Sequence, residues 1–259
     1  MHKRFIALTL LGGYVMAVGC VPKQEGANAP PTPPAGDSTQ IQDETAGKPT
    51  GGGPIPPNIN AGVCPTKSVL DDAEDGDHQA YKDDQRGGYW YTYSDKAGTV
   101  VEPAGEFKMS QGGPDGSKWA AKMSGKTGPG GILYAGVGFS ITDPKAPVDL
   151  SCCKGVSFYA KKAGAGIAAV RLKVPDAQTT PEGNQCKQCY NDFGRDYMFT
   201  DQWTKYELPF AEMSQEPSWG DKFPAIMPTH IYGLQWQVKD PNQSFEIWVD
   251  SVELIGCGG

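Results

Sequence analysis

A ring, two cationic side chains and two amides recur at alternate positions of three short apolar segments. These residues are Tyr159, Arg171, Lys173, Gln235 and Gln237. Alternation places them on one side of a strand while the intervening aliphatic residues face a core. If the three strands are neighbours, the five side chains form a polar, hydrogen-bonding platform. The alternative is the solvated face that any half-exposed sheet presents to water.

Catalytic motifs are poorly represented. Gly125, Lys126 and Thr127 look like the end of a phosphate-binding loop, but the required glycine five positions earlier is Ala120. The nucleophile motif G-x-S-x-G is absent from the sequence. Beyond the first few residues only His78 and His230 occur, without metal-ligand spacing. Paired carboxylates for glycoside hydrolysis remain available, but no pair is singled out.

Hard oxygen ligands occur in two places. An acidic run extends from Asp71 to Asp77 near the first predicted strand, and Asp250 lies in the last. Oxygen donors from two such places suit Ca²⁺, which takes six to eight oxygens, backbone carbonyls included. The alternative is a solvated acidic turn.

Six of the seven cysteines lie within the predicted folded part of the chain, between residues 64 and 257: Cys64, Cys152, Cys153, Cys186, Cys189 and Cys257. Structural zinc sites normally use two well-spaced pairs, which the adjacent Cys152 and Cys153 do not supply. An even count in an exported chain favours disulfides. We expect a Cys64–Cys257 bridge that joins the two ends of the domain. The other four either pair as Cys186–Cys189 with a vicinal bridge or cross between loops.

Short period-two segments bounded by Gly, Pro, Asp and Asn are typical of an all-β sandwich or barrel. Strands are predicted over 155–160, 169–174, 232–238 and 245–254, and another over 203–210 that Pro209 places near a sheet edge. The segment GGYWYTYSD is a further strand. Its Trp90 is expected in the core, with Tyr89, Tyr91 and Tyr93 around a rim.

The N-terminus has the organisation of an export signal. Lys3 and Arg4 precede an apolar run too short to span a bilayer, which takes about 20 residues. The run ends at Gly19-Cys20 and resembles a bacterial lipoprotein signal, cleaved before a lipidated Cys20. The resemblance to Gram-negative lipoproteins with Val21 after the cysteine implies the outer membrane.

Composition then divides the chain into a signal peptide at 1–19, a Pro/Gly-rich disordered tether at 20–62 and one folded domain at 63–259. The formal net charge is −7. An acidic exported chain lacks the clustered Lys and Arg that nucleic-acid binding requires. We therefore expect no nucleic-acid partner.

The segments LDDAEDGD, GGYWYTYSD, DLSCCKGVSFYAKK, WTKYELPF and FEIWVDSVEL occur in that order. Together they resemble the galactose-binding-like jelly roll of family 11 carbohydrate-binding modules, over most of residues 69–254. They are also similar to exported myxobacterial lipoproteins that carry this module alone.

The resemblance implies a single jelly-roll β-sandwich with a structural Ca²⁺ near Glu74 and Asp250. It also implies a glycan groove on the concave sheet, where Tyr159, Arg171, Gln235 and Gln237 fit by alternation. Loops carrying Tyr190, Asp192 and Trp219 would border that groove.

The sequence thus leads to a non-catalytic, glycan-binding surface lipoprotein that is a monomer. In such a protein a ring stacks on a sugar while cations and amides hydrogen-bond its hydroxyls. Two alternatives remain: an envelope adaptor that holds a protein partner, and a glycan-acting hydrolase or lyase. A filled or convex surface at the polar platform favours the adaptor.

Overall fold

The structure is a computed structural model that describes residues 51–95, 99–130, 133–166 and 169–258. The expected signal peptide, the lipidation residue Cys20 and residues 20–50 of the expected tether lie outside the described residues. All described residues belong to one compact unit. Within them, no helix has the length and apolar character needed to cross a membrane.

Among the described residues there are twelve strands and three short 3₁₀ helices, and all the strand pairs they form are antiparallel. The strands are β1 (Val69–Asp71), β2 (Trp90–Ser94), β3 (Val100–Glu102), β4 (Ser110–Gln111), β5 (Trp119–Lys126), β6 (Ala135–Ser140), β7 (Gly155–Lys162), β8 (Ala169–Val174), β9 (Phe193–Met198), β10 (Thr204–Pro209), β11 (Gly233–Val238) and β12 (Ser244–Ile255). The helices are Pro181–Gly183, Phe210–Glu212 and Pro228–His230.

The strands form two sheets. A seven-stranded sheet has the order β10-β7-β12-β5-β3, with β1 paired to β12 and β4 paired to β5. A five-stranded sheet has the order β2-β6-β11-β8-β9. The all-β jelly-roll sandwich expected from the sequence is confirmed. Pro209 closes β10, which is an edge strand as expected.

The core lies between the inner faces of the two sheets. Trp236 of the five-stranded sheet meets Phe158 of the seven-stranded sheet with ring centroids 5.3 Å apart. Trp90 stacks on Trp236 at 5.8 Å and contacts Phe139 at 4.8 Å. The prediction that Trp90 is a core residue is confirmed, since its side chain is only 2% exposed. Aromatic rings bury large apolar areas, so this cluster accounts for much of the sandwich's stability.

The expected Cys64–Cys257 bridge is wrong. Cys64 pairs with Cys152, and Cys153 pairs with Cys257. The two ends of the domain do meet, but the turn that carries Cys152 and Cys153 lies between them and bonds to both. Cys186–Cys189 forms the third bridge and closes a short loop. The vicinal bridge between Cys152 and Cys153 is therefore also not formed.

The boundary predicted between tether and domain is wrong for residues 51–62. The Gly53 backbone N–H donates to Asn184 O at 2.9 Å, and Asn58 Nδ2 donates to Thr229 O at 2.7 Å. Asn60 is buried and receives the Asp149 N–H at 2.6 Å. Composition correctly indicates that this segment has little apolar area to bury. It is held instead by backbone groups and two asparagine amides.

Candidate functional site

The outward side chains of the five-stranded sheet form two rows across its strands. The first row contains Tyr91, Gly138, Gln235, Lys173 and Gly194 in β2, β6, β11, β8 and β9. The second row contains Tyr93, Gly136, Gln237, Arg171 and Asp196 in the same strands. The strand neighbours that the polar platform requires are therefore present for four of its five predicted residues.

Tyr159 is not among them. It lies in β7, opposite Lys205 of β10, on the outer side of the seven-stranded sheet. Alternation predicts correctly that Tyr159 points away from the core, but it does not identify the sheet to which the strand belongs. The prediction that Tyr159 shares a face with Arg171 and Gln235 is wrong.

Tyrosines occupy the β2 edge of this face. We call Tyr89, Tyr91, Tyr93 and Tyr134 the tyrosine band. Successive ring centroids lie 6.3, 6.2 and 6.2 Å apart along it. The sequence placed three of these rings at a rim and did not single out Tyr134. The GGYWYTYSD strand was the available signal, but its register against β6 was needed to place the rings on this face.

Glycines in β6 give the band its shape. A Cβ at position 136 would lie 2.1 Å from the Tyr93 ring, and a Cβ at position 138 would lie 2.8 Å from Gln235 Cγ. Because neither glycine has a side chain, the Tyr93 ring and the Gln235 side chain lie directly on the β6 backbone. The band and the amides thus meet over a strip of bare strand.

Hydrogen bonds fix the tyrosine hydroxyls against the amides. Gln235 Nε2 donates to the Tyr91 hydroxyl at 2.9 Å. The Gln237 Oε1 accepts from Lys173 Nζ at 3.2 Å and from the Tyr93 hydroxyl at 3.4 Å. Burial raises the pKa of Tyr91 and Tyr93 well above the usual tyrosine value, so both hydroxyls stay protonated.

Two ion pairs lie on the β8 side of the face, one buried and one between a buried arginine and an exposed aspartate. Lys173 Nζ is 3.0 Å from Asp192 Oδ2, and Arg171 is 3.2 Å from Asp196 Oδ1. Arg171 is 6% exposed, Gln235 is 4% and Asp192 is 2%. These three predicted ligand-binding residues therefore act from below the surface, as groups that hold their neighbours. Tyr89, Tyr91 and Gln237 are half-buried and reach solvent.

Two loops cover that side of the sheet, residues 184–192 and 214–223, which we call the loop pair. Asn191 joins them: its Nδ2 donates to Glu216 O and Trp219 O, and its Oδ1 accepts from Glu216 N. The Cys186–Cys189 bridge lies in the first loop. Tyr190 there has a left-handed backbone, with φ of 74°.

Trp219 is the exposed ring of the loop pair, with 38% of its surface accessible. Its Nε1 donates to Glu216 Oε2 at 2.8 Å, and the other oxygen of Glu216 pairs with Lys239. Lys239 also lies 3.9 Å from Asp196, the partner of Arg171. A continuous polar network thus connects Trp219 to the sheet face, and the loop residues predicted from the sequence do lie at this site.

A second site lies at the predicted calcium residues. Ser117 Oγ lies 2.7 Å from Glu74 Oε1, 2.8 Å from Asp250 Oδ2 and 2.9 Å from the Trp119 carbonyl oxygen. One hydroxyl proton can serve only one of these three acceptors. A Cβ at Gly113 would lie 2.5 Å from Asp250 Oδ2, so the glycine leaves room for this buried carboxylate.

The pKa values of the two carboxyl groups differ in direction. Burial raises the pKa of Asp250 to about 6. Hydrogen bonds from Ser117 and from the Trp119 and Lys118 N–H groups lower the pKa of Glu74. No cluster of three His, Cys, Asp or Glu side chains that could hold a metal occurs among the residues described. A cation here would use the two carboxylates together with hydroxyl and carbonyl oxygens, which fits calcium and not zinc.

Comparisons with solved structures identify the fold. A family 11 carbohydrate-binding module of the cellulosomal cellulase Lic26A-Cel5E of Clostridium thermocellum is similar over 75% of this chain and 96% of its own, with 17% identity and a TM-score of 0.52. A family 11 module from Clostridium thermocellum in complex with a β-1,3-1,4-mixed-linked tetrasaccharide is similar over 74% and 96%, with 18% identity and a TM-score of 0.52. This chain therefore has the jelly-roll fold of family 11 carbohydrate-binding modules.

No protein-family model matches the sequence, and no curated protein matches it.

Proposed function

We propose that this protein is a non-catalytic, glycan-binding lipoprotein that binds polysaccharide on the outer face of its five-stranded sheet. The observation that carries the proposal is the tyrosine band beside Gln237, with Gln235 holding Tyr91 from below. Exposed rings and amides supply what a sugar needs, apolar faces for its C–H groups and hydrogen-bond partners for its hydroxyls. The similarity to carbohydrate-binding modules supports this assignment.

The residues have distinct roles in this proposal. Tyr89 and Tyr91 contact the sugar rings, and Gln237 hydrogen-bonds hydroxyls. Arg171, Lys173 and Asp192 keep the face rigid, since their charges are already paired within the protein. Trp219 contacts a longer chain at the far border. An open face of this kind binds with dissociation constants from micromolar to millimolar, or about −4 to −8 kcal/mol.

The burial of Arg171 and Gln235 favours a second candidate, an envelope adaptor that holds a protein partner. A face whose polar groups are mostly paired within the protein has fewer free hydrogen-bond partners for a sugar than an open groove has. The tyrosine band favours glycan binding over the adaptor, because rings that reach solvent along one edge of a sheet suit a linear sugar chain.

Affinity electrophoresis tests the proposed function. The purified protein is run through gels that contain mixed-linkage glucan, xylan, mannan or the producing cell's own exopolysaccharide. Retardation in at least one gel is expected and names the glycan class. Equal mobility in every gel would reject glycan binding and leave the adaptor.

The proposal includes a structural Ca²⁺ held by the Glu74 and Asp250 carboxylates, the Ser117 hydroxyl and the Trp119 carbonyl. The Ser117 hydroxyl has one proton for three neighbouring acceptor oxygens, and a cation would compensate the acceptors left without a donor. It would also connect the loop after β1, which carries Glu74, to Asp250 of β12. Its role is to stabilise the fold, away from the tyrosine band.

The proposal also includes a monomer anchored in the outer membrane through a lipidated Cys20, because the N-terminal segment resembles a lipoprotein signal. Incorporation of a labelled fatty acid, lost in Cys20→Ala, is the observation that supports the anchor. Soluble, unlabelled wild-type protein would reject it.

A further inference from the structure

The outer face of the seven-stranded sheet carries a row of alternating rings and ammonium groups. Trp203 precedes β10, Lys161 lies in β7, Trp248 in β12 and Lys122 in β5. Trp248 is directly opposite both lysines in the ladder. Thr204 pairs with Ala160, so the register places Trp203 beside Lys161. We call these four residues the lysine–indole row.

The distances show that the row is in contact throughout. Lys161 Nζ lies 4.9 Å from the centroid of the Trp203 ring and 5.1 Å from that of Trp248. On the other side of Trp248, Lys122 Nζ of β5 lies 5.0 Å from the centroid of the same ring. These are cation–π distances. The four side chains are half-buried, so they are ordered by their neighbours while still reaching solvent.

The next outward position extends the pattern. Tyr159 of β7 is directly opposite Lys205 of β10. Tyr159, which the sequence assigned to a ligand face, therefore belongs to this second surface. Three rings and three lysines interleave on one side of the sheet.

The two lysines of the row differ in whether a carboxylate pairs with them. Lys122 Nζ pairs with Glu246 Oε2 at 3.2 Å, and Glu246 Oε1 accepts from Trp248 Nε1 at 2.9 Å. Lys161 has no carboxylate within ion-pair distance in the part of the chain that the structure describes. Its ammonium lies between two indoles, in a protein with a formal net charge of −7. An uncompensated cation among rings favours an anionic ligand that also has apolar faces.

We propose that the lysine–indole row is a second binding surface, for a polysaccharide that contains uronic acids. The carboxylate of one sugar pairs with the Lys161 ammonium, while the apolar faces of adjacent sugars pack against Trp203 and Trp248. Those indoles are two strands apart, or about 10 Å. That separation matches a few linked sugars and greatly exceeds a single carboxylate.

An acidic polymer fits this surface better than an anionic membrane does. Glu207 and Glu253 project from the same side of the sheet as the row. A flat anionic bilayer would bring its charges against these carboxylates, whereas a single polymer chain can follow the row and avoid them. The proposal does not rest on the tyrosine band, since the two surfaces lie on opposite sheets.

Affinity electrophoresis in gels containing polygalacturonate or alginate tests this proposal, with a neutral glucan gel as reference. Retardation by at least one uronate polymer is expected, and it should weaken as salt is raised. Lys161→Gln should reduce the affinity at least five-fold, while Lys161→Arg should keep most of it. Lys154→Gln is the matched control, because it removes the same charge from an exposed site away from the row.

Three results would overturn the proposal. The first is no retardation by either uronate polymer. The second is equal retardation of Lys161→Gln and Lys154→Gln, which would mean that net charge alone is responsible. The third is Lys161-dependent sedimentation with anionic phosphatidylglycerol vesicles in the absence of uronate binding, which would assign the row to a membrane. Binding of neutral glucan should be the same in Lys161→Gln, Lys161→Arg and Lys154→Gln as in the wild type. A failure of the uronate proposal can therefore be distinguished from a failure of glycan binding at the tyrosine band.

Discussion

Gln235 donates a 2.9 Å hydrogen bond from its Nε2 to the hydroxyl of Tyr91, and so connects β11 to β2 across Gly138 of β6. The amide is almost fully buried, while the ring it holds reaches solvent. Gln235 therefore acts on a ligand through Tyr91. Gln235, which the sequence predicted to contact the ligand, is instead a positioning residue, and Tyr91 is the residue that contacts the glycan in our proposal.

Gln235→Ala should weaken glycan binding about five- to ten-fold, because Tyr91 loses its partner and one hydrogen bond contributes about 1 kcal/mol. Arg171→Ala should weaken binding and also lower the melting temperature, since Asp196 loses the nearer of its two cationic partners and Ser214 O loses one of its two donors. Titration calorimetry with the glycan that retards the wild type measures both. Gln202→Ala, at an exposed loop position, is the control. Unchanged binding in both variants would show that this face is not the glycan site.

Peptide mapping without reduction should give one cluster of three peptides, containing Cys64, the Cys152–Cys153 pair and Cys257. The bridges close segments with sequence separations of 88 and 104 residues. The chain-entropy model assigns each such bridge roughly 4–5 kcal/mol. Cys153→Ala combined with Cys257→Ala should therefore lower the unfolding free energy strongly. A two-peptide species joining Cys64 to Cys257 would contradict this pairing.

Calcium should raise the melting temperature of the EDTA-treated protein by several degrees, because a ligand bound only to the folded state stabilises it by mass action. Glu74→Gln and Asp250→Asn should each remove most of the shift. Asp84→Asn, an exposed acidic position outside the site, should keep it. A shift that survives both site substitutions would place the cation elsewhere, and the absence of any shift in the wild type would remove calcium from the proposed function.

Asp71 makes stability depend on pH. Burial raises the pKa of Asp71 to about 7, and the nearby charges of Asp75 and Asp72 raise it further. Hydrogen bonds from Trp90 Nε1 and the Ala73 N–H favour the charged form and oppose this shift. A carboxyl group with a raised pKa stabilises the fold at low pH and loses that contribution as pH rises through the folded-state value. The contribution is thus lost between about pH 4 and pH 7.

Urea unfolding in EDTA should give a free energy higher at pH 5 than at pH 8, by on the order of 2 kcal/mol from this group. Asp71→Asn keeps an acceptor for Trp90 and should reduce the dependence, leaving the smaller part that the raised pKa of Asp250 contributes. An unchanged slope in Asp71→Asn would mean that Asp71 is not the group responsible.

The sequence predicts the strands well because each has one buried face. The segments at 155–160 and 169–174 alternate and lie in β7 and β8. The segment at 245–254 lies in β12, where a register shift between Asp250 and Glu253 interrupts the alternation. Alternation states only which side chains point away from the core. It therefore cannot distinguish Tyr159 from Arg171, which point outward from opposite sheets.

Register and pairing need information from distant parts of the chain. The tyrosine band depends on Gly136 and Gly138, more than 40 positions from Tyr91 in the sequence, lying beside it in β6. The disulfide pairing depends on where one turn lies between two chain ends that do meet. Neither relationship leaves a local pattern, so the ligand-facing rings and the bridges could not be derived from the sequence alone.

The most direct test of the central claim is the affinity of three proteins for one neutral glycan: wild type, Tyr91→Ala and Tyr159→Ala. Both substitutions remove one half-buried tyrosine, but the two residues lie on opposite sheets. Glycan binding at the tyrosine band predicts at least a ten-fold loss for Tyr91→Ala and wild-type affinity for Tyr159→Ala. Wild-type affinity in Tyr91→Ala, with the loss appearing in Tyr159→Ala, would contradict the assignment of the five-stranded face.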